Sequence, residues 1–378
     1  MKLIYCIHSL YNPGGMERVL VNKVSYLVRQ MGWEVVVVTT DQHQRPVFYP
    51  LPGEVRLIDL DINYSEDNGK GTFRKIGGYL RRRRLHRQRL TEVLMREKAD
   101  IVVSLYPSES SFIPEIKDGS KKVLELHFCK FFRLQYGRKG LMGLIDRIRT
   151  WQDERLVRRF DKFVVLTEED RGYWGALPNM EVIPNAALFI APAYATQAEK
   201  RVIAVGRLDY QKGFDRLVEA WAFVQQNEAF RDWRLDIFGQ GEWRDMLEQM
   251  ICERGLQQTA RINAPSKQIG VEYAASSLLV MSSNYEGFPM VMIEAMACGL
   301  PVVAFEFKCG PKDIINDHQN GIRVEEGNIP ALADAMMELM QDAELRRRMS
   351  LEARKVTETY SEERVMRQWV TLFESLKG

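Results

Sequence analysis

Short runs of apolar and β-branched residues alternate along this chain with helix-length amphipathic segments, and this alternation limits the folds that it can adopt. The first half contains six such runs, at residues 3–8, 35–40, 55–60, 101–105, 123–126 and 163–167. Strands that alternate with helices are typical of a parallel sheet covered by helices. The first half is therefore predicted to be an α/β domain built on a parallel sheet.

The alternation stops at residues 186–199, which hold two prolines and no clear periodicity, and then resumes. The second half has further runs at residues 201–205, 234–238, 260–262, 278–282, 302–305 and 321–324. A chain of 378 residues is long enough for two domains. We predict two Rossmann-like domains, at residues 1–185 and 186–365. An amphipathic helix at 366–378 follows, and it could cross back to the first domain.

Charge is balanced over the whole chain but not between its halves. The net charge is +2, yet residues 1–185 carry 31 basic and 23 acidic side chains, and residues 186–378 carry 22 and 28. The overall balance argues against a dedicated polyanion binder. The first domain is basic and the second is acidic.

Cysteine usage and hydropathy indicate the compartment. The five cysteines are odd in number and contain no C-x-x-C pair, so neither a disulfide framework nor a zinc site is indicated. No apolar stretch reaches 18 residues, and the first ten residues are too short for a signal sequence. We expect a cytoplasmic protein.

Two carboxylates bracket a predicted strand-to-helix turn in the second half. Glu286 follows the run at 278–282, and Glu294 lies in the helix that starts near Pro289. Ligands of parallel sheets bind beyond the carboxyl ends of strands, and ionised carboxylates accept paired hydrogen bonds from hydroxyls. The alternative is that Glu286 only caps the helix and that Glu294 is a solvated helix residue. We favour a ligand site, because Gly287 and Pro289 make this turn more specific than an arbitrary pair of glutamates.

Three further clusters lie at predicted strand ends. Arg207 and Lys212 occupy a loop that begins at Gly206, where a guanidinium and an ammonium can converge on a diphosphate. Gly14 and Gly15 follow the first strand and allow a ligand to approach the backbone closely. His127 ends the run at 123–126. Each cluster alone is a weak signal, since surface cations, tight turns and single histidines are common.

Together, these clusters resemble glycosyltransferase family 4, whose members are retaining nucleotide-sugar enzymes of GT-B fold. The resemblance covers essentially the whole chain and includes a glycine-rich turn at residues 239–242. It implies donor binding by Gly14, Gly15, Gly206, Arg207, Lys212, Glu286, Gly287, Phe288, Pro289 and Glu294. It implies catalytic roles for His127, Arg207, Lys212 and Glu286. Asn263 stands where family members often have glycine near the nucleobase.

The resemblance also assigns roles within the donor site. It implies that Arg207 and Lys212 hold the donor phosphates, that Glu294 binds the ribose hydroxyls, and that Glu286 binds the donor sugar. His127 would lie beside the transferred sugar. Retention needs no protein base if an oxygen of the leaving phosphate takes the acceptor proton.

No metal or other cofactor is expected. Asp59 and Asp61 form a D-x-D pattern like that of metal-binding GT-A enzymes, but they lie in the basic first half, away from the nucleotide clusters. Arg207, Lys212 and helix N-termini can neutralise a leaving diphosphate. The sequence therefore predicts a metal-independent reaction.

A basic run from residue 68 to residue 91 contains nine basic side chains and no acidic one. The residues predicted to meet a membrane or acceptor are Arg81, Arg82, Arg83, Arg84, Arg87 and Arg89. A basic amphipathic helix on an anionic leaflet fits this run, and a solvated helix face or a nucleic-acid patch are the alternatives. The resemblance implies that residues 1–185 bind the acceptor and residues 186–365 bind the nucleotide-sugar donor. Because the run belongs to the acceptor domain, we favour the membrane and no nucleic-acid partner.

The predicted activity is transfer of a sugar from a nucleotide diphosphate sugar, UDP favoured over GDP, to a glycan acceptor. The predicted acceptor is lipid-linked, as in surface polysaccharide assembly, so we expect peripheral attachment to the inner face of the cell membrane. A sugar-nucleotide epimerase of similar shape and a nucleic-acid binder remain as alternatives. A nicotinamide oxidoreductase is disfavoured because G-x-G-x-x-G is absent after the first strand.

Overall fold

The structure is a computed structural model that describes residues 1–67, 72–134, 138–187 and 191–377. Lys70 of the basic run and residues 188–190 of the predicted linker lie outside the described residues. Each half of the chain forms one parallel sheet with helices on both faces, which confirms the predicted fold class.

The first sheet has the order β3-β2-β1-β4-β5-β6-β7 within the described residues, and its strands are parallel. Its strands are β1 (Lys2–Ile7), β2 (Glu34–Thr39), β3 (Arg56–Asp59), β4 (Ile101–Ser104), β5 (Lys121–Glu125), β6 (Lys162–Val165) and β7 (Met180–Val182). The inner strands are buried along almost their whole length, as expected for a sheet covered on both faces. The three-residue β7 has no counterpart among the predicted runs.

The helices of the first domain are α1 (Gly15–Arg29), α2 (Thr72–Glu97), α3 (Gly140–Leu156) and α4 (Glu168–Trp174). Successive side chains of β1 point to opposite faces of the sheet. Leu3 belongs to the apolar core that α1 completes, and Ile4 belongs to the core that α2 completes with Leu90 and Leu94. The helices α1 and α2 therefore cover opposite faces of the sheet.

The second sheet has the order β10-β9-β8-β11-β12-β13 within the described residues. Its strands are β8 (Arg201–Val205), β9 (Arg234–Phe238), β10 (Ala260–Asn263), β11 (Leu278–Met281), β12 (Val302–Phe305) and β13 (Gly321–Val324). The helices that follow the first domain are α5 (Phe214–Gln225), α6 (Arg244–Glu253), α7 (Ile269–Ala274), α8 (Met290–Ala297), α9 (Pro311–Ile314), α10 (Ile329–Gln341), α11 (Ala343–Ala353), α12 (Val356–Thr359) and α13 (Glu362–Leu376).

The last helix, α13, packs on the first sheet and not on the second. Ser361 caps its start by accepting a hydrogen bond from the Arg364 backbone N–H. Its buried side chains include Val365, Trp369 and Phe373, which join the core of β1 and α1. The chain therefore crosses from the second domain back to the first.

The two domains also touch directly at strand ends. The Glu169 carboxylate accepts a 2.9 Å hydrogen bond from the backbone of Cys309, and the Asp313 carboxylate accepts one of 2.6 Å from the first turn of α4 at Glu168. These contacts hold the carboxyl ends of the two sheets face to face.

Candidate active site

The loop after β8 brings Lys212 to the end of β11. Gly213 has a φ of +59°, and a Cβ there would lie 2.4 Å from the carbonyl oxygen of Ser282. A Cβ at Gly206 would lie 2.8 Å from Cε of Lys212. Glycine at both positions therefore lets this loop pack closely and lets the lysine side chain lie across it.

The carboxylate of Glu286 is buried and accepts hydrogen bonds from three side chains. Its Oε1 lies 2.6 Å from Nζ of Lys212 and 2.9 Å from Oγ of Ser283, and its Oε2 lies 3.1 Å from Nε2 of Gln211. A buried carboxylate needs such partners, because an unpaired one costs several kcal/mol. Two residues predicted separately, Lys212 and Glu286, thus form one ion pair.

Arg207 lies at the rim of the same loop. Its side chain is exposed, donates to Oε1 of Gln211 at 2.7 Å, and lies 3.3 Å from Oδ2 of Asp209. The guanidinium is therefore close to the Lys212 loop and accessible from solvent.

Gly287 brings the second domain against the first. A Cβ at Gly287 would lie 1.9 Å from the carbonyl oxygen of His127. Phe288 packs within the second domain, where it is buried with its ring centroid 5.4 Å from that of Tyr360, and Pro289 immediately precedes α8. Gly287 is therefore a position where the second domain meets the end of β5.

Glu294 is paired with a residue of the opposite domain. Its carboxylate, on α8, is nearly buried, and Oε1 accepts a 3.0 Å hydrogen bond from Nη1 of Arg18 on α1. Burial raises the pKa of Glu294, and Arg18 offsets that rise only in part. Arg18 was not predicted from the sequence, although it follows Gly15 in the same segment.

The Gly14 and Gly15 turn opens onto free space. A Cβ at Gly15 would meet no atom within 4 Å, whereas one at Gly14 would lie 2.0 Å from the carboxylate of Glu17. Burial raises the pKa of Glu17, while His127 and His8 lower it. This turn begins a 15-residue helix, whose N-terminus favours anions. Space and charge both fit a phosphate here.

The side chain of His127 is nearly buried and lies against a carboxylate at the end of β5. Its Nε2 lies 3.1 Å from Oε1 of Glu125, which also accepts a 2.5 Å hydrogen bond from Nζ of Lys23. Burial alone would raise the pKa of Glu125, but Lys23 and His127 outweigh it and bring that pKa to about 2. Glu125 and Lys23 were missed from the sequence; no local pattern marks them.

The two aspartates of the D-x-D pattern accept hydrogen bonds from side chains of the first domain. Asp59 accepts a 3.0 Å hydrogen bond from the Thr39 hydroxyl, and Asp61 accepts one of 2.5 Å from the Asn63 amide. Among the described residues, no group of three His, Cys, Asp or Glu side chains is arranged to hold a metal ion.

From Thr72 onward, the basic run forms the first part of α2, and four of its arginines contact the protein itself. Arg82 donates to Ile62 O and Glu66, and Arg89 donates to Leu60 O and Asp61 O. Two more partners are the Ser111 hydroxyl for Arg83 and the Glu115 carboxylate for Arg87. Arg81 and Arg84 are exposed. No helix in the described ranges is long and apolar enough to cross a bilayer.

Comparison with known proteins decides the family. Residues 13–187 match a family model described as Glycosyltransferase Family 4, and residues 190–356 match one described as glycosyl transferases group 1. An uncharacterized glycosyltransferase of Haemophilus influenzae is 30% identical over 375 residues, which cover 97% of this chain and 98% of that protein. The chain belongs to glycosyltransferase family 4.

Other family relatives act in glycan assembly, as their names state. The amylovoran biosynthesis glycosyltransferase AmsD of Erwinia amylovora is 34% identical over 67% of this chain and 75% of its own length. A Campylobacter jejuni N-acetylgalactosaminyltransferase, named for a diphospho-undecaprenol-linked glycan, is 23% identical over 100% of this chain and 99% of its own. A role among glycosyltransferases of polysaccharide and glycan biosynthesis is thereby supported.

Solved structures confirm the predicted GT-B fold. The crystal structure of TarM superimposes with a TM-score of 0.81 at 18% identity and covers 98% of both chains. Anabaena Alr3699/HepE in complex with UDP and glucose gives a TM-score of 0.73 at 17% identity, covering 99% of this chain and 100% of that one. In the present chain, the predicted donor residues of both domains follow strand ends that face one another, except Glu294, which lies on α8.

Proposed function

We propose that this enzyme transfers a sugar from a nucleotide diphosphate sugar, UDP favoured over GDP, to a lipid-linked glycan acceptor with retention of anomeric configuration. The observation that carries the proposal is the pairing of Lys212 with Glu286 beside Gly287, where the donor domain touches His127. A cation for phosphate, a carboxylate for sugar hydroxyls and an oriented imidazole lie around one interdomain contact.

The cations would stabilise the departing nucleotide diphosphate. The charge of Lys212 is balanced by Glu286, so a diphosphate needs a further cation. Arg207 is exposed at the rim of the same loop and supplies a guanidinium for the phosphate oxygens. Charge that grows on the leaving group is then stabilised by protein groups. We propose that the reaction requires no metal ion.

The hydrogen bonds of Glu286 favour a same-face displacement. A carboxylate that already accepts from Lys212, Ser283 and Gln211 is a poor nucleophile for the anomeric carbon. In the same-face reaction, the bond from the anomeric carbon to the phosphate oxygen breaks while the acceptor oxygen bonds to that carbon. The leaving phosphate oxygen takes the acceptor proton, and the configuration is retained.

The acceptor and its location rest on charge and on the relatives. The first domain is the more basic half, and Arg81 and Arg84 of α2 are exposed. The Campylobacter jejuni relative is named for a polyprenyl diphosphate-linked glycan. We propose peripheral attachment to the inner face of the cell membrane, where such an acceptor would be presented.

A donor screen followed by product analysis tests the proposed reaction. Thermal-shift measurements with UDP-, GDP- and ADP-sugars should show the largest stabilisation with a UDP-sugar. That donor should then be incubated with polyprenyl diphosphate-linked glycans. NMR of the product should show a new linkage with the same anomeric configuration, axial or equatorial, as the donor sugar. An inverted linkage would contradict retention, and interconversion of donor sugars without acceptor would indicate an epimerase.

A further inference from the structure

Helix α3 presents large apolar side chains to solvent. Leu144 is 54% exposed, Ile148 is 45% exposed and Trp151 is 49% exposed. Residues spaced by four and then three positions lie on one face of a helix. These three side chains, here called the α3 stripe, therefore form one continuous apolar surface.

The opposite side of α3 is the side that packs on the domain. Asp146 and Thr150 are buried, and Val157, directly after the helix, belongs to the core under α2. A domain has no packing reason to keep three large apolar side chains together on its outer surface, and such a patch marks an interaction site.

The charges around the α3 stripe are positive. The acidic residues Asp153 and Glu154 form ion pairs with Arg133 and Lys130 of the same domain. The exposed charged residues of this helix are its arginines, Arg147, Arg149 and Arg155. Arg155 lies over the Trp151 ring, 3.7 Å from its centroid. An apolar surface edged by guanidinium groups is complementary to an anionic phospholipid surface.

Side-chain contacts connect α3 to the end of β5. Asp153, on the side of α3 that packs on the domain, holds Arg133, whose guanidinium lies 4.5 Å from the ring centroid of Phe132. The Phe132 ring stacks at 5.3 Å on Phe128, the neighbour of His127. Helix α3 therefore lies a few side chains away from the end of β5.

Helix α2 and the end of α3 are linked through one carboxylate. The Glu115 carboxylate lies 2.8 Å from Arg87 of α2 and 2.9 Å from Arg159, just beyond α3. Tyr79 and Leu80 of α2 are also exposed. The two helices are therefore neighbours in the first domain.

We propose that α3 inserts the α3 stripe into the headgroup and acyl boundary of an anionic phospholipid bilayer, with Arg147, Arg149 and Arg155 on the lipid phosphates. This inference rests on the proposed function, because it explains how a lipid-linked acceptor reaches the cleft. It assigns the insertion to α3, whereas the arginines of α2 supply charge alone.

The test compares two triple variants of the full chain. In the first, Leu144→Gln, Ile148→Gln and Trp151→Gln remove the α3 stripe. In the matched control, three exposed apolar residues of the second domain are replaced: Phe223→Gln, Val271→Gln and Leu351→Gln. All six side chains are exposed, so both variants should fold, which circular dichroism and melting temperature check.

Vesicle sedimentation gives the first readout. The α3 variant should bind phosphatidylglycerol vesicles at least roughly tenfold more weakly than wild type does. The control variant should bind them as wild type does. Neutral phosphatidylcholine vesicles should bind the wild type weakly. Equal binding of wild type and α3 variant would overturn the proposal. So would a wild-type dimer that the α3 variant converts to monomer without lipid, which would make the stripe a protein interface.

Tryptophan quenching gives a second, local readout. Vesicles with brominated acyl chains should quench part of the wild-type emission, and Trp151→Phe should lose that part while still binding. Unchanged quenching in Trp151→Phe would exclude insertion of α3. Neither readout depends on catalysis, so failure of transfer to every acceptor would contradict the proposed function alone.

Discussion

At the scale of single residues, the pairing of Glu294 with Arg18 links donor binding to the contact between domains. The carboxylate expected to bind ribose accepts a hydrogen bond from Arg18 of the opposite domain. Ribose hydroxyls and the Arg18 guanidinium then compete for the same oxygen. Arg18, on the first turns of α1, is close to the Gly15 turn where we expect the diphosphate.

Glu294→Gln should weaken donor binding by about 1.5–3 kcal/mol, because a charge-assisted hydrogen bond becomes a neutral one. Calorimetry with a UDP-sugar measures the change, and Glu358→Gln, at an exposed position of α12, is the control. Equal affinities in wild type and Glu294→Gln would remove Glu294 from the donor site.

Arg18→Ala should make donor binding more sensitive to acid. Burial raises the pKa of Glu294, and Arg18 lowers it, so loss of the guanidinium raises that pKa further. Donor affinity should fall as the pH falls through this pKa, and the fall should begin at higher pH in Arg18→Ala than in wild type.

Titration of UDP binding between about pH 5 and pH 8 checks this order. Glu294→Gln serves as the reference without a titrating carboxyl, since the nucleotide titrates equally in all three proteins. Superimposable profiles for wild type and Arg18→Ala would show that Arg18 has no influence on the ribose carboxylate.

Arg207→Ala and Lys212→Ala should each lower kcat on the order of 100-fold or more, because their charge acts on a leaving group whose charge grows in the transition state. Steady-state transfer measures kcat, and circular dichroism of Lys212→Ala checks that the unpaired Glu286 does not unfold the loop. EDTA should leave wild-type activity intact. Strict dependence on added Mg²⁺ or Mn²⁺ would contradict the metal-independent reaction.

The sequence located residues at strand ends where chemistry and local spacing coincide, and the roles of these residues in the donor site stay predictions. Lys212 and Glu286 were each placed at a strand end, and the structure joins them. Arg18, Glu125 and Lys23 were missed because their partners are set by tertiary contact; Arg18 and Glu294 are 276 positions apart. Local pattern carries no information on which distant segments meet.

At the scale of elements, the arginines of α2 fall into two groups, those that contact the protein and those that are exposed. Arg82 and Arg89 bind backbone carbonyls after β3, so they fix the connection into the helix. Arg81 and Arg84 point to solvent. The prediction from sequence treated all six arginines alike, because charge alone does not tell an anchoring arginine from an exposed one.

Replacing only Arg81 and Arg84 by Gln should weaken binding to anionic vesicles at low salt by roughly 30-fold, from about 1 kcal/mol per basic residue. Folding should be unaffected, whereas Arg82→Gln with Arg89→Gln should lower the melting temperature. Physiological salt should reduce the difference, since the Debye length falls to about 8 Å. Vesicle sedimentation at two salt concentrations measures the difference. If the Arg81 and Arg84 double variant binds as wild type does, this face of α2 is only solvated.

Strand prediction followed hydrophobicity and therefore missed one edge strand, β7. The inner strands are apolar along their length and were found within one or two residues. The edge strand β7 has three half-buried residues, and its pairing with β6 comes from backbone hydrogen bonds that composition does not reveal.

At the scale of the whole molecule, Gly287 sets how closely the domains can approach. A side chain there would meet the His127 carbonyl at 1.9 Å, and backbone cannot yield as a flexible side chain does. The loop at residue 287 can thus approach the end of β5 this closely only while residue 287 lacks a Cβ.

Gly287→Ala should hold the cleft open and lower kcat by roughly 100-fold, because a shift of about 1 Å misplaces the reacting groups. Small-angle X-ray scattering should show a larger radius of gyration than wild type. Gly53→Ala is the matched control, since a Cβ at Gly53 meets no atom within 4 Å. Full activity of Gly287→Ala would mean that the contact with His127 is dispensable.

The return of α13 to the first sheet bears on how such enzymes can be recombined. A chimera made by joining residues 1–185 to the second half of a relative would bring in a foreign α13. That helix would then have to fit the surface that Trp369 and Phe373 fill here. In the chain, the donor domain is therefore an insertion between the first sheet and α13, which both belong to the acceptor domain. Exchanging it for another sugar specificity requires junctions both near residue 186 and just before Glu362.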